Sequence, residues 1–199
     1  MKIIFFGVHI RQSLLVIAFA VFSLLLFYYS PLGANGKLIP QSSVFQSQLI
    51  SKVFTGLPVR LKIPSINVDA AIEYVGLTSK REMEVPINTV DVGWFDLGPR
   101  PGEKGSAVMA GHFNGRNGEA GVFANLYKLK QGDKLYTEDS KGMSTAFVVR
   151  ESRTYDSGYA DDVFSRSDGT YLNLITCDGV WDGVKKSYNK RLVVFADTL

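Results

Sequence analysis

One thiol and one imidazole carry most of the chemistry this sequence can do. The 199 residues hold a single cysteine, Cys177, in the run Leu174-Ile175-Thr176-Cys177-Asp178-Gly179. A lone thiol closes no disulfide within the chain, and an unpaired cysteine outside the cell stays buried, pairs with another chain or reacts. The only histidines are His9 and His112, and His9 precedes a long apolar segment. An imidazole partner for Cys177 therefore has to be His112. A third polar group, Arg191, opens the apolar run Leu192-Val193-Val194-Phe195-Ala196.

These three residue types suit nucleophilic acyl transfer. A free thiol, with a pKa near ~8.5, is only a few per cent thiolate at neutral pH. A neighbouring imidazolium or guanidinium favours the thiolate by charge attraction, so the sequence leads one to expect an ionised sulfur. His112 could hand a proton to a leaving amine. Arg191, always charged and forked, could donate to a developing oxyanion. Loss of one such donor costs about 10²–10³ in rate. Each residue also has a plainer reading. Cysteine is among the most often buried residue types, a histidine beside glycines is often structural, and an arginine before a strand is often a solvated charge. Composition and spacing leave both readings open.

The elements that must position these groups read as β. Alternation or β-branched enrichment marks strands at residues 59–63, 66–75, 106–110, 134–138, 146–150, 171–176 and 191–196. Gly and Pro clusters punctuate them, notably at 97–102 and 115–118. Short strands so punctuated point to a closed or nearly closed β-barrel. His112, Cys177 and Arg191 each stand at a strand end, where a rigid scaffold presents reactive groups. One helical patch of about two turns is expected at Phe123, Leu126 and Leu129, ended by Gly132. The pair Asp161-Asp162 reads as a solvated turn.

Residues 13–29 form an uncharged apolar stretch of 17 residues, near the lower limit for crossing a bilayer. Lys2 and Arg11 precede it, so the positive-inside bias puts the N-terminus in the cytoplasm and the body outside. A cleaved signal peptide fits less well, since the small-residue candidate Leu32-Gly33-Ala34 lacks a small residue three positions before the cut. The expected organisation is a cytoplasmic stretch 1–12, a transmembrane anchor 13–29, a linker 30–56 rich in Ser, Gln, Gly and Asn, and a domain 57–199. Four basic residues (Lys2, Arg11, Lys37, Lys52) and no acid precede Pro58, while all 19 acids lie at or after Asp69. The net charge of +3 thus belongs to the N-terminal segment. The nearly neutral body offers no basic face for nucleic acid.

The local motifs resemble those of the sortases. Leu174-Ile175-Thr176-Cys177 is similar to their T-L-x-T-C signature, and Ala110-Gly111-His112 to their histidine turn. Arg191 to Ala196 resembles the strand carrying their arginine. Phe123, Leu126, Leu129, Gly132 and Asp133 match a pattern after the histidine. Val59 to Ile63 with Pro64 and Ile66 resembles the start of their barrel. The resemblance covers residues 57–199 and keeps the order His, Cys, Arg.

It implies a mainly β fold, an eight-stranded sortase-type barrel with short helices behind an N-terminal transmembrane helix. It also implies a cysteine transpeptidase, without metal or organic cofactor, of the membrane of a Gram-positive cell. Cys177 would be the nucleophile, His112 the general acid/base and Arg191 the stabiliser of oxyanion or substrate. Thr176 would shape the substrate pocket and Trp181 form a pocket wall. The partners implied are secreted proteins bearing an LPxTG-like sorting signal, and an acceptor amine of a peptidoglycan precursor or a pilin. The Gly- and Asp-rich stretch after Cys177 is similar to the smaller classes D, E and F. Phe45 and Phe54 are candidates for a plug over the site, beside the simpler reading of a plain tether.

Two rivals fit the order of residues less well. L,D-transpeptidases place their cysteine in an S-x-G-C context with a histidine shortly before it. Papain-like and NlpC-type hydrolases put Cys before His. A rival of another class is a membrane-tethered β-domain that binds an extracellular partner without chemistry, which expects a sealed, unreactive Cys177.

Overall fold

The computed structural model describes residues 56–115, 117–158 and 161–199. The anchor 13–29, linker residues 30–55 with Phe45 and Phe54, and the cytoplasmic stretch 1–12 lie outside them. Among the described residues no helix is long and apolar enough to cross a membrane.

Strict alternation drives the first pair. Leu61 and Ile63 are fully buried while Arg60 and Lys62 face out, and these belong to β1 (Pro58–Ile63). Pro64 ends the strand in a 3-10 turn, and Asn67, at φ 55°, reverses the chain into β2 (Val68–Val75). The sequence had this strand starting at 66. β3 (Val92–Phe95) went unread because it is only four residues long with Gly93 inside it. β4 (Gly105–Gly111), β5 (Lys134–Asp139), β6 (Ser144–Asp156), β7 (Thr170–Asp182) and β8 (Ser187–Thr198) complete the set. The eight strands close a barrel in the order β1-β2-β3-β4-β7-β8-β6-β5, with β5 bonded back to β1. The pairs β2–β3 and β4–β7 are parallel and the others antiparallel.

The barrel interior is an apolar plug to which all eight strands contribute, among them Leu61, Ala70, Val92, Met109, Leu135, Phe147, Leu174 and Val194. The expected helical patch is instead a run of i to i+3 bonds, with Leu126 N–H given to Phe123 and Leu129 N–H to Leu126, centred on a 3-10 helix at Leu126–Lys128. Residues three apart eclipse in a 3-10 turn. The strict spacing of Phe123, Leu126 and Leu129 therefore puts all three into the core. β7 and β8 run past the barrel as a two-stranded hairpin, where Trp181 faces Tyr188 across the ladder. Asp161 and Asp162 open a five-residue helix, Asp161–Ser165, rather than a turn. Val163 on it is fully buried against Val108, Val193 and Phe195.

Candidate active site

β4, β7 and β8 lie side by side, and side-chain alternation sorts their residues between two faces. Ala107 and Met109, Leu172 and Leu174, and Leu192 and Val194 enter the barrel core. The residues between them face outward. Val108 pairs with Asn173, and Ala110 with Ile175, across the parallel β4–β7 ladder. Phe195 pairs with Asn173, Val193 with Ile175, and Arg191 with Cys177 across β7–β8. The outer face thus carries two rows, Val108, Asn173, Phe195 and Ala110, Ile175, Val193, which form a largely apolar track, and the Cys177–Arg191 pair comes next along β7 and β8. His112 follows Gly111, the last residue of β4.

Cys177 is partly exposed. Burial pushes its thiol above the ordinary cysteine value, and the Arg191 guanidinium pulls the other way with smaller effect. This corrects the expectation of a sulfur held ionised by its neighbours. Desolvation of the thiolate outweighs the guanidinium's attraction.

His112 lies one residue past β4, fixed from several sides. Its ring Nε2 is 2.8 Å from the Pro86 carbonyl oxygen. A carbonyl only accepts, so Nε2 carries the proton and Nδ1 is the basic nitrogen of the neutral ring. The His112 carbonyl accepts the Phe123 N–H at 2.9 Å. The next chain segment passes so close that a Cβ on Gly121 would stand 2.2 Å from the His112 carbonyl oxygen. On the other side, a Cβ on Gly111 would stand 2.4 Å from the Phe123 ring. Only glycine permits these approaches.

Arg191 gives Nη1 protons to the Tyr188 and Lys190 carbonyls at 2.9 and 2.8 Å, and Nη2 lies 3.4 Å from Ser187 Oγ. These bonds hold the guanidinium plane. The Nε proton and the second Nη2 proton take part in none of these bonds.

Thr176 does not line the surface. It faces the barrel interior, 3% exposed, and its Oγ1 donates to the Gly111 carbonyl at 2.9 Å. Alternation sends its side chain to the face opposite Cys177. It braces the strand end that leads into His112. Trp181 is 53% exposed on the hairpin, edge-on to Tyr188 at 5.3 Å. Tyr188 in turn meets Phe113 at 5.7 Å. The three rings tie the hairpin to the residue after His112.

The sequence reading missed two parts of this arrangement. The helix Asp161–Ser165 covers the far end of the track. Asn173 Nδ2 donates to the Val163 carbonyl at 2.6 Å, and Phe164 stacks edge-on against Phe95 at 5.5 Å. Its signal was the acidic pair at its first turn. The Pro86 carbonyl is a backbone atom, for which side-chain identity gives no signal.

The sortase domain family matches residues 61–199, most of the chain. No curated protein matches the sequence closely enough to count as a relative. Among solved structures, sortase C-1 from Actinomyces oris is 25% identical over 84% of each chain, with a TM-score of 0.55. Sortase C from Clostridium perfringens SM101 is 24% identical over 73% of this chain and 71% of its own, with a TM-score of 0.53. Sortase A from Listeria monocytogenes is 19% identical over 73% of this chain and 88% of its own, also with a TM-score of 0.53. The fold likeness extends alike to enzymes called sortase A and sortase C. With the family matched across nearly the whole barrel, this chain belongs to the sortases and is a cysteine transpeptidase of that family.

Proposed function

We propose that the protein is anchored in the membrane by residues 13–29 with its catalytic domain outside the cell. There it cleaves an LPxTG-like C-terminal sorting signal of secreted proteins and transfers the acyl group to an amine. The acceptor is an amine of a peptidoglycan precursor or a pilin lysine. What supports this reading is the partly exposed Cys177, paired with Arg191 across β7–β8, with His112 one residue past the end of the neighbouring β4.

The raised thiol shapes the first step. Cys177 gives its proton to His112 as its sulfur bonds to the scissile carbonyl carbon. Negative charge collects on the carbonyl oxygen, where Arg191 donates. The C–N bond breaks, the leaving amine takes the proton from His112, and a thioester remains on Cys177. The acceptor amine then attacks that carbon and passes a proton through His112 back to the departing sulfur. A β-domain that only binds would need a sealed sulfur. The partial exposure of Cys177, with Arg191 opposite, favours catalysis.

The test is a screen of sorting-signal peptides for cleavage and for capture of the acyl group by added amines. Cleavage that Cys177→Ala abolishes is expected. Absence of cleavage across the panel, with a thiol silent to alkylation until the protein is denatured, would overturn the reading.

A further inference from the structure

Behind the imidazole stands a peptide group with a carboxylate behind it. The Pro86 carbonyl accepts the His112 Nε2 proton at 2.8 Å. The N–H of the same peptide unit, on Ile87, donates to Glu73 Oε2 at 2.9 Å. The Asn88 N–H adds a bond to Glu73 Oε1 at 3.3 Å. No cis peptide bond occurs among the described residues, so the C=O and N–H of this unit point in opposite directions within one plane. Fixing the N–H fixes the aim of the carbonyl. A carboxylate on the N–H also polarises the unit and makes its oxygen a stronger acceptor. Glu73 itself is held in the barrel wall, paired with Gly93 across β2–β3. Pro86 is buried against that same glycine, where a Cβ would stand 3.1 Å from the proline Cδ.

We propose that Glu73 is a positioning residue for His112, acting through the Pro86–Ile87 peptide group. Glu73, peptide and imidazole form a line in which a backbone unit takes the place a carboxylate holds behind a catalytic histidine. The line fixes the Nε2–H tautomer, so that Nδ1 is the nitrogen that exchanges protons. This inference rests on the acid–base role of His112 given above.

The experiment uses the full-length chain in detergent micelles, with 15N-labelled histidine and a fluorogenic LPxTG-type peptide. The chain has two histidines, and His9→Gln removes the signals of the other ring. In the parent, ring signals of the neutral His112 should show a protonated Nε2 and a bare Nδ1. In Glu73→Ala the two tautomers should mix. Its kcat should fall about tenfold with KM nearly unchanged, a fraction of the 10²–10⁴ that general acid–base catalysis supplies. Glu73→Gln, which keeps one acceptor oxygen but no charge, should lie between parent and Ala, and it decides the matter if the Ala chain does not fold. Parental ring signals and kcat in both variants, with His112→Ala inactive, overturn the role of Glu73 alone. An active His112→Ala chain overturns the role of His112 itself.

Discussion

The two flanks of Cys177 are held in different ways. On the β8 side, Arg191 pairs with Cys177 in the antiparallel β7–β8 ladder, one pair before its register shifts, and its guanidinium is fixed by carbonyls one and three residues away. On the β4 side, His112 has left the strand. It is aimed by Pro86, 26 residues earlier, and braced at Gly111 by Thr176, 65 residues later. The permanently charged group needs only local order, because a guanidinium acts by its presence and plane. A group that is to move protons would need one nitrogen pointed and the other bonded, and the contacts that hold His112 and its strand end come from the β2–β3 connection and from β7.

Breaking either flank, or the sulfur between them, sharpens the contrast. Cys177→Ala should abolish turnover of a sorting-signal peptide while circular dichroism and melting stay parental. On the local flank, Arg191→Lys keeps the charge but loses the planar fork. Its kcat/KM should fall about 10²–10³, the usual cost of losing an oxyanion donor. Near-normal activity would remove Arg191 from its assigned role. On the long-range flank, Thr176→Val leaves the buried Gly111 carbonyl without the threonine's bond. Loss of about 1–3 kcal/mol of stability is expected in denaturant melts, along with a fall in kcat. Alkylation of Cys177 at high pH should change little, since the thiol and Arg191 are untouched.

The pH dependence of alkylation tests the balance at the sulfur. Burial raises the thiol and Arg191 lowers it by less. The thiolate fraction at neutral pH is therefore smaller than for a free cysteine, and the alkylation rate should climb through the alkaline range with a midpoint above ~8.5. Arg191→Ala removes the lowering influence and should push the midpoint higher. A midpoint below that of a free thiol would reverse the ordering of the two effects. The smallest effect is expected at the hairpin. Trp181→Ala gives up an edge-on contact of a half-exposed ring, worth about 1 kcal/mol at most, and should leave kcat close to parental.

Strand alternation made most of the barrel legible in advance. β1, β4 and β5 were read within a residue at each end, because their apolar positions alternate or run unbroken between Gly and Pro. β6, β7 and β8 were read short. Their outer halves carry charged and polar residues such as Arg153 and Asp182, which pair in the ladder without any apolar signal. β3 escaped through brevity and Gly93. Phe123, Leu126 and Leu129 were read as a short helical patch of about two turns. A spacing of three is shared by both helix types, and the local bonds chose the 3-10 turn.

By itself the sequence marked the candidate nucleophile and its candidate histidine partner, because residue type is a local property of the chain; it put Cys177 and Arg191 at strand ends, whereas β7 runs on to Asp182 and β8 begins at Ser187, so both lie within strands. Which way each side chain faces was a matter of register, and register is fixed by pairing between strands far apart in sequence. That pairing turned Thr176 inward and Cys177 outward, and set Arg191 opposite the sulfur. It also brought a carbonyl from the β2–β3 connection behind His112. The upward push on the thiol likewise arises only in three dimensions, since desolvation depends on what packs around the sulfur and not on its neighbours in the chain.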